Sequence, residues 1–166
     1  MISFNEVHGE GDLVEIEKLA AVIWHEHYTP IIGNNQVVYM LQKFQSVDAM
    51  SRQISQGFHY LRIDDNGDLI GYLAYEKRNS ELFLSKIYVL KQYRGKGVGK
   101  RALQHVMDAA RELNCGKVTL TVNKLNTNAI KAYEKTGFIK KGPVVQDIGL
   151  GYVMDDFIME KQLEPG

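Results

Sequence analysis

A cluster of cations and glycines near the middle of the chain has the composition of an anion site. It comprises Arg94, Gly95, Lys96, Gly97, Val98, Gly99, Lys100 and Arg101. An apolar, strand-like segment at 82–90 precedes it, and a helical apolar pattern follows it. Glycine lets a backbone approach a ligand, and the first turn of a helix presents unpaired N–H groups and a partial positive charge. This junction therefore predicts a phosphate or pyrophosphate site.

Two common phosphate motifs do not match the spacing of this junction. The P-loop, G-x-x-x-x-G-K-S/T, needs glycine at position 94 and Ser or Thr at position 101, where the chain has Arg94 and Arg101. The dinucleotide motif G-x-G-x-x-G, started at Gly95, needs a glycine where Lys100 stands. The spacing thus argues against both nucleotide-binding classes.

The spacing that fits is R-x-x-G-x-G, formed by Arg94, Gly97 and Gly99. After a second predicted strand comes N-x-x-A-I-x-x-Y-x-x-x-G-F, which runs from Asn126 to Phe138. Together these two motifs resemble the GNAT superfamily of acyl-CoA-dependent N-acetyltransferases. The resemblance covers the C-terminal part of the chain and weakens toward the N-terminus.

The resemblance implies acetyl-CoA as co-substrate and assigns residues to it. Backbone groups at 87–89 would contact the pantetheine arm and the acetyl carbonyl, and residues 94–100 would hold the pyrophosphate. Asn126 would contact pantetheine, a role compatible with capping a helix. The implied cofactor-binding residues are Ile87, Tyr88, Val89, Arg94, Gly95, Lys96, Gly97, Val98, Gly99, Lys100, Asn126 and Tyr133.

Tyr133 is the implied catalytic acid, which would protonate the coenzyme A thiolate when the tetrahedral intermediate collapses. Without the motif, the same tyrosine would be interpreted as a core residue of an amphipathic helix. The acceptor amine must also lose a proton, because an amine with a pKa of about 10.4 is almost fully protonated at pH 7. The unranked candidates for this base are Glu81, Asp147, Asp155 and Asp156. This chemistry requires no metal.

The acceptor remains open between a small amine, such as a polyamine or amino sugar, and a protein amino group. Twenty basic residues balance twenty acidic ones, so a nucleic-acid partner is not expected and a small molecule is slightly favoured. A non-catalytic acyl-CoA-binding or regulatory module is the alternative function. The resemblance is also compatible with a homodimer.

Metal sites and membrane segments are not expected. His25 and His27 lie two positions apart and would face different sides of a helix, so they cannot share an ion, although they could line an acceptor pocket. Cys115 is the only cysteine, which excludes an internal disulfide and a cysteine-rich zinc site. The N-terminal segment lacks the features of a signal peptide, and no apolar stretch reaches about 18 residues. We expect a cytoplasmic protein.

The chain predicts one N-acetyltransferase domain over residues 1–166. Its expected fold is α+β, a mixed α/β GNAT-like architecture with a mostly antiparallel sheet of about seven strands and about four flanking helices. The predicted strands are 2–7, 59–63, 69–75, 82–90, 117–123, 139–148 and 152–159. The predicted helical segments are 12–28, 36–44 with a short continuation at 48–54, 97–113 and 127–135. A crossover helix makes 82–90 and 117–123 parallel neighbours, and the resemblance implies that this pair splays apart.

Overall fold

The computed structural model describes residues 1–164 and has one sheet between two layers of helices. The strands are β1 (Ile2–Glu6), β2 (His59–Asp65), β3 (Asp68–Arg78), β4 (Glu81–Val89), β5 (Lys117–Asn123), β6 (Ile139–Gly149) and β7 (Tyr152–Gln162). The helices are α1 (Glu10–Ile32), α2 (Asn34–Phe44), α3 (Val47–Ser55), α4 (Val98–Glu112) and α5 (Thr127–Lys135), with a short 3-10 turn at Lys91–Tyr93.

The seven strands follow the order β1-β2-β3-β4-β5-β7-β6. Within residues 1–164, β4 and β5 are the one parallel pair, and every other neighbouring pair is antiparallel. The mixed sheet of seven strands and its parallel pair are thus confirmed. The described chain has five α-helices, since the short helical segment expected at 48–54 forms the separate helix α3.

The parallel pair separates along its length. Pairing between β4 and β5 runs from Glu81–Lys117 to Phe83–Thr119 and then stops, although β4 continues to Val89. Beyond that point each strand remains paired with its other neighbour, β3 or β7. The ends of β4 and β5 therefore diverge, and the backbone groups along the gap have no strand partner there.

A β-bulge in β4 changes which side chains face each helical layer. Leu84 and Lys86 pair with successive residues of β3, so Ser85 is the extra residue. After the bulge, Ile87 packs on the side of α4, whereas Tyr88 packs on the side of α1 to α3. The bulge was not predicted, because a period of two in the sequence carries no sign of an inserted residue.

Two buried clusters hold the helical layers on the sheet. The cluster beneath α4 and α5 includes Leu73, Leu82, Val106, Val118 and Leu120. The cluster beneath α1, α2 and α3 includes Ile16, Trp24, Val37, Met50 and Tyr72. Burial of apolar side chains on both faces stabilises the central strands, including the diverging ends of β4 and β5.

Helix α1 is longer than the predicted segment 12–28, and the prediction that Pro30 ends it was wrong. Proline lacks the N–H that would bond to the carbonyl four residues earlier, so it usually interrupts a helix. Here it lies in the last turn, where only one internal hydrogen bond is lost. The helix ends at Gly33, which has a φ of 86° and donates its N–H to the Thr29 carbonyl at 2.9 Å.

Candidate active site

A crevice of about 1010 Å³ opens where β4 and β5 diverge. One end of it is formed by the loop before α4 together with α5, and the other by α1 to α3 and the β6–β7 hairpin. The predicted cofactor residues that line it are Ile87, Tyr88, Val89, Arg94, Gly95, Gly97, Gly99, Lys100, Asn126 and Tyr133. The fold therefore gathers these residues at one place.

Two predicted residues take different positions. The Lys96 side chain is exposed, and its Nζ lies 5.7 Å from the centre of the Tyr93 ring. Val98 is buried among the core residues under α4. Neither side chain lines the crevice, so the contribution that Val98 can make to a ligand comes from its backbone.

The glycine loop ends in a helix start of the expected kind. Gly97 has φ 81° and ψ 3°, a left-handed conformation that favours glycine, and α4 begins at the next residue. The first bond of α4 runs from the Arg101 N–H to the Gly97 carbonyl at 3.1 Å. The N–H groups of residues 98–100 precede that bond and so have no acceptor inside the helix, which leaves them directed at an incoming anion.

Two cations of the crevice belong to this junction. Arg94 lies just before the start of α4 and Lys100 in its first turn, and both line the crevice. Arg94 Nε donates to the Val89 carbonyl at 3.1 Å, which ties the loop to the last residue of β4. Positive charge next to free N–H groups suits the phosphates of a large anionic cofactor.

Asn126 joins the wall of α5 to α1. Its side chain is buried, its Oδ1 accepts from the Ala129 N–H at 3.4 Å, and its Nδ2 donates to the Tyr28 hydroxyl at 3.5 Å. The expected helix-capping role is confirmed, because Asn126 is the N-cap of α5.

Tyr133 extends from α5 into the crevice and packs with its ring centre 5.7 Å from that of Phe138. Burial raises the pKa of its phenol, and the nearby Tyr28 raises that pKa further. The phenol is therefore protonated at neutral pH, which is the state that a proton donor needs.

Of the four candidate bases, Asp156 is the one that lines the crevice, and it is 7% exposed. Burial is the main cause that raises the pKa of Asp156 to about 6, and the charge of Asp155 adds to it. Lys124 and a hydrogen bond from Thr121 act in the opposite direction on this pKa. The carboxylate is thus mostly ionised at pH 7 and has a pKa suited to accepting a proton.

The other three carboxylates have structural partners outside the crevice. Glu81 lies 3.6 Å from Lys117 Nζ. Asp155 forms an ion pair of 2.8 Å with Lys124. Asp147 accepts the N–H of Gly149 at 2.8 Å in the β6–β7 turn.

The two histidines of α1 separate as the helical spacing predicts. His27 lines the crevice, with its ring centre 4.7 Å from that of Tyr28, and burial lowers its pKa. His25 is exposed and lies beside Thr29.

In residues 1–164, no three His, Cys, Asp or Glu side chains are grouped as metal ligands would be. None of the helices in this range has the length and hydropathy of a membrane-spanning helix.

The aromatic and histidine cluster from Trp24 to Tyr28, a candidate acceptor site from the sequence, lines the crevice through Trp24, His27 and Tyr28, but its contact with Tyr88 was not predicted. The Trp24 and Tyr28 rings lie 4.5 Å apart, and Tyr88 lies 5.6 Å from Trp24 and 6.5 Å from Tyr28. The helical spacing of α1 predicted that Trp24 is buried, but no signal in the sequence indicated that α1 would pack against the end of β4.

Lys86 was also missed. It is 5% exposed, lines the crevice and donates from Nζ to the Phe44 carbonyl, to Gln53 Oε1 at 3.1 Å and to the Tyr60 hydroxyl at 2.5 Å. Burial lowers the pKa of Lys86 to about 7. The bulge at Ser85 places this lysine on the side of α2 and α3.

Comparison with known proteins gives matches over much of the chain. A model of the "Acetyltransferase (GNAT) family" matches residues 16–138. The PaiA N-acetyltransferase from Thermoplasma acidophilum, solved in complex with coenzyme A, superposes with a TM-score of 0.82. That alignment covers 98% of this chain and 99% of the other at 21% identity, a level at which the likeness establishes the fold.

Curated relatives are similar over shorter segments. Streptothricin acetyltransferase of Streptomyces lavendulae is 37% identical over 81 residues, covering 48% of this chain and 43% of that protein. Spermine/spermidine N(1)-acetyltransferase of Bacillus subtilis (strain 168) is 30% identical over 81 residues, covering 43% of this chain and 53% of that protein. The chain therefore spans about half the length of these relatives.

Proposed function

Because the chain belongs to the GNAT acetyltransferase family, we propose that it transfers an acetyl group from acetyl-CoA to a primary amine by direct attack in a ternary complex. The observation that carries this proposal is the gap between β4 and β5, which stop pairing after Phe83–Thr119 beside the glycine loop. The gap offers unpaired strand backbone to an extended pantetheine arm, and the loop offers N–H groups to its pyrophosphate.

The start of α4 would hold the phosphates of acetyl-CoA, and the diverging ends of β4 and β5 would hold its thioester. Main-chain groups at 94–100 bind the pyrophosphate, with Arg94 and Lys100 adding positive charge. Backbone groups of Ile87 to Val89 and the side chain of Asn126 orient the pantetheine and the acetyl carbonyl. Tyr88 packs with the layer of α1 to α3 and Tyr133 with the layer of α4 and α5, so these side chains would contact the thioester from opposite faces of the sheet.

The proton transfers are divided between two walls of the crevice. Asp156 accepts a proton from the bound ammonium, and the free amine nitrogen attacks the acetyl carbon to form the C–N bond. The tetrahedral intermediate collapses with cleavage of the C–S bond, and Tyr133 protonates the departing thiolate. The second proton of the amide nitrogen returns through water to the Tyr133 phenolate, and Asp156 releases the proton that it accepted to solvent, so both residues regain their starting forms. Holding both reactants in one crevice supplies the proximity that the bimolecular reaction in water lacks.

A thiol-release assay with acetyl-CoA and an amine panel tests this function, and calorimetry with acetyl-CoA measures binding in parallel. We expect saturable binding together with amine-dependent release of coenzyme A. Binding without release for any amine would instead support the alternative of a non-catalytic acyl-CoA-binding module. Loss of both would refute the assignment of the crevice to coenzyme A.

A further inference from the structure

The charges that line the crevice are unevenly distributed. Among the described lining residues Asp156 is the one acid. The cations are Arg78, Lys86, Arg94, Lys100 and Lys135. Two of these, Arg94 and Lys100, belong to the junction at the start of α4 assigned to the phosphates, and the crevice offers a single carboxylate to a bound amine. A second ammonium group in a crevice of this depth would have no carboxylate to pair with.

The rest of the acceptor end is apolar, aromatic or neutral. Its apolar and aromatic residues are Trp24, Tyr28, Ile32, Met40, Phe44, Tyr88 and Met154. Its amide residues are Gln36, Gln45, Gln53 and Gln146. Such a lining favours burial of a hydrophobic body and provides polar contacts without net charge.

Lys86 shows what this environment does to a primary ammonium. Its three hydrogen-bond partners, the Phe44 carbonyl, Gln53 and Tyr60, are uncharged. Burial alone accounts for the lowering of the Lys86 pKa. A cation of a ligand in the same region would be destabilised for the same reason and would also be repelled by any positive charge that Lys86 retains.

We propose that the acceptor is a primary monoamine with an apolar or aromatic body, and that the crevice discriminates against polyamines. The single carboxylate of Asp156 can pair with one ammonium group. The rings of Trp24, Tyr28 and Tyr88 can pack against the apolar part of the same substrate. This substrate class rests on the proposed acetyl transfer and narrows it.

Two amines of equal length provide the test, since pentylamine and 1,5-diaminopentane differ only in the second amino group. With the wild-type protein, kcat/KM for pentylamine should exceed that for 1,5-diaminopentane by about tenfold or more, a ratio equal to about 1.4 kcal/mol. Phenethylamine should be used at least as well as pentylamine. A smaller ratio, or a preference for spermidine, would overturn the proposal.

A gain-of-function variant tests the same point without altering the core. Gln146 is exposed, lies on β6 and lines the acceptor end, so Gln146→Glu adds a carboxylate where a second ammonium would lie. We expect this variant to raise kcat/KM for 1,5-diaminopentane relative to pentylamine by several-fold. Gln104→Glu, an equal change on the exposed face of α4, should leave the ratio unchanged. An unchanged ratio in Gln146→Glu would contradict the proposal.

The outcomes separate this proposal from the one on which it rests. If no amine releases coenzyme A from acetyl-CoA, the acetyltransferase function itself fails. If coenzyme A is released but both amines are used equally, acetyl transfer stands and the monoamine class is refuted.

Discussion

Asp155 and Asp156 are adjacent in β7, and their side chains lie on opposite faces of the strand. Asp155 is exposed and pairs with Lys124 at 2.8 Å, whereas Asp156 is buried and lines the crevice. In the ladder with β5, Asp156 lies opposite Asn123, which lines the same crevice. The two carboxylates therefore form a matched pair for testing which one accepts the proton.

Asp156→Asn should lower kcat/KM by about 100-fold, because it removes the proton acceptor while preserving size. Asp155→Asn loses a surface ion pair and should change kcat/KM little. Steady-state kinetics of coenzyme A release under identical conditions would measure both. Equal losses in the two variants would remove Asp156 from the mechanism.

The pH dependence of the reaction should report the same group. Burial raises the pKa of Asp156 to about 6, so its base form is lost as the pH falls through that value and kcat/KM should fall with it. Ionisation of the amine affects wild type and Asp156→Asn equally. The ratio of their rates between pH 5 and 8 thus isolates this carboxylate, and a ratio independent of pH would count against it.

Tyr133→Phe should reduce kcat by about 100-fold and leave acetyl-CoA affinity nearly unchanged, because only the proton donor is removed. Turnover assays and calorimetry measure the two quantities separately. Tyr152→Phe is the control, since Tyr152 packs 5.3 Å from Tyr39 and does not line the crevice. A parallel loss of affinity and turnover in Tyr133→Phe would indicate a packing role.

Gly99→Val should weaken acetyl-CoA binding by more than about tenfold. Gly99 is the second residue of α4, and an added Cβ there meets no atom within 4 Å, so the valine would occupy space left for the phosphates. Gly11, the second residue of α1, is equally open. Gly11→Val therefore carries the same helix cost and should leave binding intact, which calorimetry can verify.

Gly71→Ala should destabilise the protein by about 1–3 kcal/mol. A Cβ at Gly71 would overlap the backbone carbonyl of Tyr88 and approach the Val89 Cα at 3.2 Å. The substitution would displace the end of β4, so acetyl-CoA affinity should fall as well. Gly116→Ala, at an open position with no added contact, is the control in urea unfolding.

Lys86 should make stability depend on pH. Burial lowers the pKa of Lys86 from 10.5 to about 7, so the unfolded chain binds more protons between these values. The free energy of unfolding should therefore rise as the pH increases from 7 toward 10. Below about pH 7 Lys86 is protonated in both the folded and the unfolded state, so this dependence ends. Lys86→Met should flatten this dependence in urea unfolding at pH 7 and pH 9. An identical slope in both proteins would exclude Lys86 as its source.

The features that the sequence predicted well are local. The glycine loop, the cap at Asn126 and the strand before α4 each depend on a few consecutive residues, whose turn and capping preferences are strong. These preferences placed the glycine loop and the start of α5 at the crevice, whereas Tyr133 was identified through the family resemblance.

The ranking of the candidate bases and the position of Lys86 could not be predicted, because they depend on register between distant segments. The choice between Asp155 and Asp156 follows from which residue of β7 lies opposite Asn123. The orientation of Lys86 follows from the bulge at Ser85. A shift of one residue in either strand would move its side chains to the other face of the sheet. No residue close in sequence indicates which register forms.

The strand order has a consequence for how the crevice forms during synthesis. β7 is made after β6, yet it lies between β5 and β6, so Asp156 reaches the crevice only when the finished hairpin docks along β5. The glycine loop, by contrast, belongs to a β4–α4–β5 unit of near neighbours in the chain. Because contacts of short sequence separation form sooner, we expect a nascent chain to form the glycine loop and the gap between β4 and β5 before Asp156 reaches the crevice.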